Sequence, residues 1–273
     1  MKNLSHSNEL PLVSVVIATY NRANEIMRAI DSVRGQNYPN KEIIVVNDGS
    51  TDNTRQILEQ QSDIVLINNK TNLRLQKSLN IGCRASRGKY IARLDDHDMW
   101  IDSSKLQKQV NFLESHPQVG VLGTSANLGE REISNPLTDK KIRHQILFRC
   151  PFSHMTIMMR KEAYEKCGQY DEALIYSEDW DLWMKIGQKY ELANIPDITT
   201  FINEQEGLTS KFLVSQYQCT KVLLGRYRYT YPYFIISSFY HWWVRQCFRL
   251  FKAKSSVHKL FVRIYDYFFL RFQ

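Results

Sequence analysis

The sequence predicts an α/β protein with a mostly parallel sheet, because buried strands alternate with amphipathic helices at βαβ spacing. The strands are apolar runs rich in valine and isoleucine, as expected when helices cover both faces of a sheet. The helices repeat apolar residues at intervals of three and four. In chain order, we expect strands at Leu12–Ala18, Glu42–Val46, Ile64–Ile67, Tyr90–Leu94 and Val119–Gly123, and intervening helices at Ala23–Arg34, Thr51–Gln61, Lys77–Ala85 and Ser103–Ser115.

The pattern loosens after Thr124, where shorter elements follow one another. The expected elements are a strand at Thr156–Arg160, a helix at Lys161–Lys166, a helix from Tyr176 to about Lys189 and an extended segment at Leu192–Ile202. From Ser210 onward the sequence predicts two or three helices, broken near Pro232 and again near Ser255.

Composition divides the chain into two parts. Residues 211–273 carry eleven Lys and Arg against one acid and hold 19 of the 33 aromatic residues, whereas the first 210 residues have a net charge of −2. We therefore expect an α/β domain at residues 1–209 and a basic, aromatic helical region at 210–273, with the boundary near Gly207.

The cysteines indicate a reducing compartment, and the apolar segments show neither a signal peptide nor an ordinary membrane span. Five cysteines without a CxxC pair argue against a disulfide framework. The first eleven residues lack the apolar core of a signal peptide, and no apolar run reaches the ~18 residues of a membrane span. The sequence thus predicts a cytoplasmic protein.

A cluster of acids follows the fourth expected strand, in the segment Leu94-Asp95-Asp96-His97-Asp98-Met99-Trp100. Like charges this close repel one another, and burying them without partners is costly. A divalent cation bound to substrate phosphates would neutralise them, since Mg²⁺ prefers oxygen ligands. The other interpretation is a solvated acidic loop. The cluster alone does not decide between the two.

Three segments are expected to meet at one edge of the sheet, because ligands of open α/β sheets lie beyond the carboxyl ends of the strands. These segments are Thr19–Arg22, Asn47–Ser50 and Asp95–Asp98. Their convergence favours a metal–phosphate site over a solvated loop.

The end of the first strand excludes two common nucleotide-binding classes. Neither G-x-G-x-x-G nor a Walker loop is present, which removes the main support for a dinucleotide oxidoreductase or a P-loop NTPase. Instead, Tyr20 could stack on a base, and Asp48 could accept a hydrogen bond from a base N–H. The alternative is local packing for Tyr20 and ordinary turn chemistry for Asp48.

Four segments resemble glycosyltransferase family 2. Pro11–Arg22 is similar to the opening of that family and Val46–Asp52 to its second signature. Leu94–Trp100 lies where the family has its Asp-x-Asp motif, and Glu178–Trp183 resembles its Glu-Asp motif. The resemblance covers roughly residues 10 to 210, with the motifs in the family's order and spacing.

The resemblance implies a GT-A fold and transfer of a sugar, with inversion, from a nucleotide-diphosphate donor to a hydroxyl group. A UDP-sugar is the expected donor. The acceptor is expected to be a lipid-linked or cell-surface glycan, as in polysaccharide, O-antigen or glycolipid biosynthesis. The donor-binding residues that the resemblance implies are Thr19, Tyr20, Arg22, Asp48, Arg74, Asp95 and Asp96.

The metal ligands are left open, because the chain departs from the family's Asp-x-Asp-Asp pattern. His97 occupies the third position, and an additional acid, Asp96, precedes it. The cation would be Mn²⁺ or Mg²⁺, and imidazole suits later metals better than Mg²⁺. The candidate ligands are Asp96, His97 and Asp98, and an exposed His97 without a metal is a further possibility.

Asp179 is the general base that the resemblance implies. Two neighbouring acids and two tryptophans in Glu178–Trp183 could raise the pKa of its carboxyl, which a base near neutral pH needs. Without the resemblance, acids capping the first turn of a helix would be favoured, and Asp181 is assigned that role. Glu178 and His154 are candidates for contact with the acceptor, although a core or capping histidine explains His154 nearly as well.

The basic aromatic region is expected to lie on an anionic membrane surface at the inner face of the membrane, with aromatic rings at headgroup depth. Tyr240, Trp242, Trp243, Phe248 and Phe251 alternate there with Arg245, Arg249, Lys252 and Lys254. The alternative is that the aromatic residues pack on the body and the cations are solvated.

Other functions fit the whole chain less well. Single-stranded nucleic acid would also suit the basic aromatic region, but no nucleic acid is expected beside a sugar transferase. The chain could be an inactive membrane or nucleic-acid adaptor that keeps the fold. A nucleotidyltransferase is disfavoured, because no basic glycine-rich loop follows the first strand.

Overall fold

The computed structural model describes residues 10–203 and 213–250. The strands are β1 Val13–Thr19, β2 Lys41–Asn47, β3 Ile64–Asn68, β4 Tyr90–Arg93, β5 Met99–Trp100, β6 Val119–Leu128, β7 Arg131–Ile133, β8 Met158–Arg160 and β9 Glu191–Ile202. The helices are α1 Ile26–Arg34, α2 Thr54–Glu59, α3 Leu75–Ala85, α4 Lys105–Ser115, α5 Asp139–Gln145, α6 Lys161–Cys167, α7 Glu178–Ile186, α8 Leu213–Arg226 and α9 Phe234–Leu250, and a 3₁₀ turn spans His154–Thr156.

The strands form one mixed sheet in the order β3-β2-β1-β4-β8-β6-β9-β5, with β7 paired to β6. Strands β3, β2, β1 and β4 are parallel neighbours, and β6 and β9 form a second parallel pair. Strand β8 lies between the two groups and is antiparallel to both β4 and β6. Most of the sheet therefore runs in one direction, as the alternation predicted, but the reversed β8 makes it mixed. The sequence predicted a strand at Thr156–Arg160 but not its insertion between β4 and β6, which depends on pairings with residues far along the chain.

Helices cover both faces of the sheet. All seven residues of β1 are buried, and alternate residues of this strand enter two separate hydrophobic clusters, Val16 in one and Val15 and Ile17 in the other. Helix α3 lies very close to the sheet, since a Cβ at Gly82 would come within 2.6 Å of Val16 Cγ1. This two-layer burial explains why the strands are continuous apolar runs.

The parallel half of the sheet fixes the loops that follow β1, β2 and β4. The amide of Asp48, just past β2, donates to the carbonyl of Thr19 at the end of β1, at 2.8 Å. The amide of Leu94, just past β4, donates to Val16 within β1 at 3.4 Å. Because β1 lies between β2 and β4, all three loops emerge side by side at one edge.

Helices α8 and α9 pack on the body through α7. The carboxylate of Asp181, which is fully buried in α7, accepts hydrogen bonds from Arg226 Nη1 at 2.6 Å and from the Tyr227 hydroxyl at 2.8 Å. The Tyr231 hydroxyl donates to the Met184 carbonyl at 2.7 Å. The interpretation of Asp181 as a helix cap is therefore wrong, since its side chain binds α8 instead.

Three elements were not predicted, namely β5, β7 and α5. The two strands have only two and three residues, too few for a period to be visible. The expected domain boundary near Gly207 and the helix break near Ser255 lie outside the described residues. Within the described part of the chain, no helix is both long and apolar enough to cross a membrane.

We expect Asp181→Ala to lower the free energy of unfolding by about 3 kcal/mol, because it removes a fully buried carboxylate that pairs with Arg226 and Lys185 and accepts from the Tyr227 hydroxyl. Arg226 is partly exposed, which places the loss at the low end of the usual range. Urea unfolding monitored by circular dichroism measures it. Asp31→Ala is the matched control, because its ion pair with Arg34 lies at the surface and contributes less than about 1 kcal/mol. Equal losses in the two variants would contradict this account of Asp181.

Candidate active site

A cavity of about 330 Å³ opens at the edge of the sheet where the loops after β1, β2 and β4 meet. This volume lies within the range of small-molecule sites. Its lining includes the candidate metal ligand His97 and all seven residues that the sequence predicted for a donor site: Thr19, Tyr20, Arg22, Asp48, Arg74, Asp95 and Asp96. The three distant segments therefore share one cavity, as the strand-end rule predicted.

The Asp48 carboxylate is fixed at one end of the cavity. Its Oδ1 accepts from the Asn69 side chain at 2.9 Å and from the Leu73 amide at 2.8 Å. The next residue, Gly49, has φ +72° and lies so close to Thr71 that a Cβ would come within 2.5 Å of its carbonyl carbon. Only glycine suits this conformation and approach, so the turn holds Asp48 rigidly at the cavity wall. Asn69 was not anticipated, since its role depends on the loop after β3.

Non-glycine residues with positive φ border the site. Asn21 has φ 53°, Arg74 has φ 74° and Ser177 has φ 61°. Asn21 is held by its own side chain, which accepts from the Thr51 amide at 2.8 Å. Arg74 immediately precedes α3, and Ser177 immediately precedes α7. Such backbone strain costs ~1–3 kcal/mol per residue and is concentrated at functional sites.

Arg93 neutralises part of the acid cluster from the protein interior. This arginine is 1% exposed, and its Nη2 contacts Asp95 Oδ1 at 2.6 Å. Burial alone would raise the pKa of Asp95, but the charges of Arg93, His154 and His97 outweigh it and lower the pKa below its ordinary value. Sequence reasoning missed Arg93. The one feature of the sequence that marks Arg93 is its position as a single charged residue at the end of an otherwise apolar strand.

Asp96 and His97 form a hydrogen-bonded pair at the cavity, with 3.0 Å between Asp96 Oδ1 and His97 Nδ1. Arg22 Nε lies 3.6 Å from the same carboxylate oxygen. Burial would lower the pKa of His97, but the bond to Asp96 and the charges of Asp95 and Asp98 raise it. The acids around His97 therefore favour the protonated form of its imidazole.

Asp98 differs from its neighbours because it does not line the cavity. It is fully buried, and its Oδ1 accepts from the Asn203 amide at 2.9 Å. Burial and then the charge of Asp95 raise its pKa to about 6. Its Oδ2 is buried without a hydrogen-bond partner. Asp98 thus joins the acid loop to the end of β9.

The chemistry of the cluster fits a divalent cation that takes only part of its ligands from the protein. Asp96 and His97 line the cavity together, and Asp98 Oδ2 is an orphaned acceptor behind them. Among the residues that the structure describes, no group of three or more His, Cys, Asp or Glu side chains is arranged to enclose a metal ion. Mg²⁺ is often held this way, by one or two carboxylates together with substrate phosphates and water.

A second group of titratable side chains surrounds the start of α7. The Cys150 thiol points to Asp179 Oδ2 at 3.6 Å, and Asp179 Oδ1 accepts from the Trp180 amide at 2.7 Å. Burial, followed by the charge of Asp179, raises the pKa of Cys150 well above its ordinary value, so the thiol stays protonated as a donor. Asp179 is half-buried, which leaves its carboxylate accessible. Cys150 was not predicted as a site residue, because nothing in its neighbouring sequence marks it.

Glu178 and His154 are buried beside Asp179. Burial, then the charge of Asp179, raises the pKa of Glu178 to about 8. His154 Nε2 lies 2.8 Å from the Tyr170 hydroxyl, and burial lowers the pKa of the imidazole. His154 is thus a hydrogen-bonded interior histidine in this structure. It lines no part of the cavity.

The two groups of side chains act on each other electrostatically. The charge of Asp95 contributes to raising the pKa of Glu178, and the charges of Asp179 and Asp95 both act on His154. Asp179, Glu178 and His154 are not part of the cavity wall, but Glu178 and His154 lie near enough to Asp95 of that wall for its charge to act on them. The structure therefore gathers the donor-site candidates and the proposed base on one side of the molecule.

The family model for glycosyl transferase family 2 matches residues 14–168, more than half of the chain. The chain therefore belongs to glycosyltransferase family 2. An uncharacterized glycosyltransferase of Haemophilus influenzae is 35% identical over 207 residues, which cover 68% of this chain and 64% of that protein. The amylovoran biosynthesis glycosyltransferase AmsE of Erwinia amylovora is 26% identical over 212 residues, or 73% of this chain and 79% of AmsE.

Two solved structures share the architecture. TarS residues 1–349 of S. aureus in complex with UDP-GlcNAc has a TM-score of 0.66 at 21% identity, covering 78% of this chain and 65% of that one. The mannosyltransferase PcManGT of Pyrobaculum calidifontis, in complex with GDP-Man and Mn²⁺, has a TM-score of 0.64 at 20% identity, covering 80% of this chain and 64% of that one. These likenesses confirm the predicted GT-A fold.

We expect Glu178→Gln to flatten the pH dependence of the free energy of unfolding. A carboxyl whose folded pKa of about 8 exceeds its ordinary value of 4.5 stabilises the protein at low pH, and this contribution is lost as pH rises through 8. Relative to wild type, the glutamine variant should therefore gain stability between about pH 5 and about pH 8. Urea unfolding across this range measures the difference.

The exposed Glu130, changed to Gln, serves as the control and should leave the slope unchanged. If the free energy of unfolding of both variants follows the wild-type pH dependence, the pKa of Glu178 is not raised in the folded protein.

Proposed function

We propose that this protein is a metal-dependent, inverting glycosyltransferase that moves a sugar from a nucleotide-diphosphate donor to a hydroxyl of a glycan acceptor. The observation that carries the proposal is that the carboxyl groups at the start of α7 lie within electrostatic range of the Asp48-to-His97 cavity, since the charge of Asp95 in the cavity wall acts on Glu178. The first can hold a nucleoside diphosphate, and the second can take a proton from an acceptor.

The donor would lie along the cavity from Asp48 to His97. Tyr20 is 42% exposed at the cavity wall, so its ring is available to stack on a base, and Asp48 can accept from a base N–H. Arg22 and Arg74 line the same cavity and can pair with the diphosphate. A UDP-sugar is the proposed donor, in keeping with the complex of TarS with UDP-GlcNAc.

The transfer step is a single displacement at the anomeric carbon of the donor sugar. The acceptor oxygen forms a bond to that carbon while the bond to the diphosphate oxygen breaks, which inverts the configuration. Asp179 takes the hydroxyl proton, and Arg22 and Arg74 balance the charge on the departing diphosphate. The Cys150 thiol and the Trp180 amide fix the orientation of the Asp179 carboxylate.

Glu178 has a different role from Asp179. With its pKa raised to about 8, it is protonated near neutral pH and can donate a hydrogen bond rather than accept a proton. A neutral neighbour also spares Asp179 the repulsion of a second charge. Glu178 is therefore proposed to orient the acceptor.

Asp96 and His97 are the proposed protein ligands of a divalent cation, either Mn²⁺ or Mg²⁺. They line the cavity, whereas Asp98 is engaged with Asn203 behind it. A bound cation would supply Lewis-acid neutralisation of the leaving diphosphate. The complex of PcManGT with GDP-Man and Mn²⁺ supports a cation of this class, and the imidazole favours Mn²⁺ over Mg²⁺.

The proposed acceptor is a lipid-linked or cell-surface glycan, and the proposed location is the cytoplasmic face of a membrane. AmsE, which shares 26% identity with this chain, is named for amylovoran biosynthesis. The chain spans about two thirds of the length of several matched relatives, including 64% of the Haemophilus influenzae protein. The acceptor assignment therefore rests on the part that the proteins share.

We expect Asp179→Asn to reduce turnover by about 10²–10⁴-fold, the usual contribution of a general base. Donor binding should stay within about twofold of wild type, because Asp179 does not line the donor cavity. The assay is release of nucleoside diphosphate from a panel of nucleotide-sugars with Mn²⁺, in which water replaces the acceptor. The exposed Asp63, changed to Asn, is the control. Wild-type turnover in the Asp179 variant would remove its assignment as the base.

We expect chelation of divalent cations to weaken UDP binding at least about tenfold in the wild-type protein, a change of ~1.4 kcal/mol. Calorimetry with and without Mn²⁺ gives the ratio of the two dissociation constants. His97→Ala should bring this ratio close to one, because the variant loses a proposed ligand. His116→Ala, at the end of α4, should keep the wild-type ratio. An unchanged ratio in the His97 variant would exclude His97 as a ligand.

A further inference from the structure

Helix α9 carries a continuous apolar face directed away from the body. Its five members, called here the outer face, are Ile235, Ile236, Phe239, Trp242 and Trp243, with exposed fractions of 80, 59, 64, 49 and 41%. Their spacing of one, three, three and one residues places them on a single side of the helix. Isolated exposed apolar residues need no explanation, but a contiguous patch of large ones indicates a binding surface.

The orientation of the outer face is fixed because the opposite side of α9 packs on the body. His241 Nε2 donates to the Leu147 carbonyl at 2.9 Å, and Ser237 is fully buried. Phe234 packs against the core cluster that contains Trp180 and Leu147. The described part of the body therefore packs on one side of α9, and the five side chains of the outer face stay exposed.

The charge around the outer face indicates the chemistry of that partner. The sequence has no Asp or Glu from Lys221 to Arg263, whereas it has Lys or Arg at nine positions in that range. Arg228 and Arg245 are exposed, and the Arg228 guanidinium lies 4.6 Å from the centre of the Tyr229 ring, which is 89% exposed. Tryptophan and tyrosine beside cations are typical of surfaces that enter the headgroup layer of an anionic bilayer.

We propose that the outer face of α9 binds the surface of an anionic phospholipid bilayer, with its aromatic and aliphatic side chains in the interfacial layer and Arg228 and Arg245 on lipid phosphates. A second copy of this chain fits less well. A symmetric contact would bring the same acid-free segment of both copies together, and like charges across an interface oppose association.

Bilayer binding would place the transferase site close to the membrane. Trp180, which follows the proposed base Asp179, contacts His241 of α9 with 6.2 Å between ring centres. His241 lies on the docked side of α9, so the distance from Trp180 to the bilayer is about one helix diameter, ~10–12 Å. This consequence, which rests on the proposed function, favours an acceptor anchored in the lipid.

The test is binding of the full chain to vesicles, measured by flotation without substrate, donor or metal. Vesicles of phosphatidylcholine alone are compared with vesicles containing phosphatidylglycerol, at low and high salt. The variant Ile236→Ser/Phe239→Ser/Trp242→Ser removes the centre of the outer face. The variant Val65→Ser/Ile101→Ser removes exposed apolar side chains elsewhere and serves as the matched control. Thermal unfolding of each variant verifies that it folds.

We expect the wild type and the control to bind anionic vesicles, to bind neutral ones at least tenfold more weakly, and to lose affinity at high salt. The outer-face variant should bind anionic vesicles at least tenfold more weakly than wild type. Brominated lipid should quench the tryptophan fluorescence of the bound wild type through Trp242 and Trp243, because Trp100, Trp180 and Trp183 are buried.

Absence of wild-type binding to anionic vesicles would overturn the proposal. So would an outer-face variant that binds as well as wild type. A dimer in sedimentation that disappears in the outer-face variant, without lipid binding, would assign the surface to a second copy. Because no step measures turnover, loss of the proposed transferase activity would leave this result standing.

Discussion

Negative charge concentrated at one edge of the sheet is the constraint on which the site depends. Asp48, Asp95 and Asp96 all line one cavity because the strands before them are parallel neighbours. Two arginine side chains, one in the protein interior and one in the cavity, partly balance this charge. Arg93 binds Asp95 from the interior, and Arg22 approaches Asp96 from the cavity. The site is thus only partly neutralised by the protein, which suits a ligand that brings a cation together with phosphates.

The same constraint separates the roles of neighbouring acids. Asp95 is held below its ordinary pKa by Arg93, whereas burial and the charge of Asp95 raise the pKa of Asp98 to about 6. Asp98 can tolerate this position because the Asn203 amide donates to it and it stays away from the cavity. Of these four consecutive residues, Asp95, Asp96 and His97 therefore face the donor site, whereas Asp98 is buried and supports the loop.

A feature of this fold was predictable when the residues that indicate it are neighbours in the sequence. The strands from β1 to β4 and the loops after them were predictable, because apolar runs and strand-end polar residues are adjacent in sequence. The position of β8 between β4 and β6 and the roles of Cys150 and Asn69 were not, since they depend on pairings with residues far along the chain. Asp181 shows the difference most directly. Its position in the first turn of α7 suggests a cap, yet its partners Arg226 and Tyr227 lie 45 and 46 residues later.

That long-range contact changes how the C-terminal helices should be understood. Composition alone divides the chain into a neutral body and a basic appendage, but Asp181, Met184 and Leu147 of the body all bind side chains from residues 226–241. Helix α7 begins with Glu178 and Asp179, so the element that presents the proposed base is also the element to which α8 and α9 are attached. Helix α9 contacts α7 directly, since the His241 and Trp180 rings lie 6.2 Å apart. The basic aromatic helices are part of the support of the active site, and a single packing unit joins the proposed membrane surface to the proposed base.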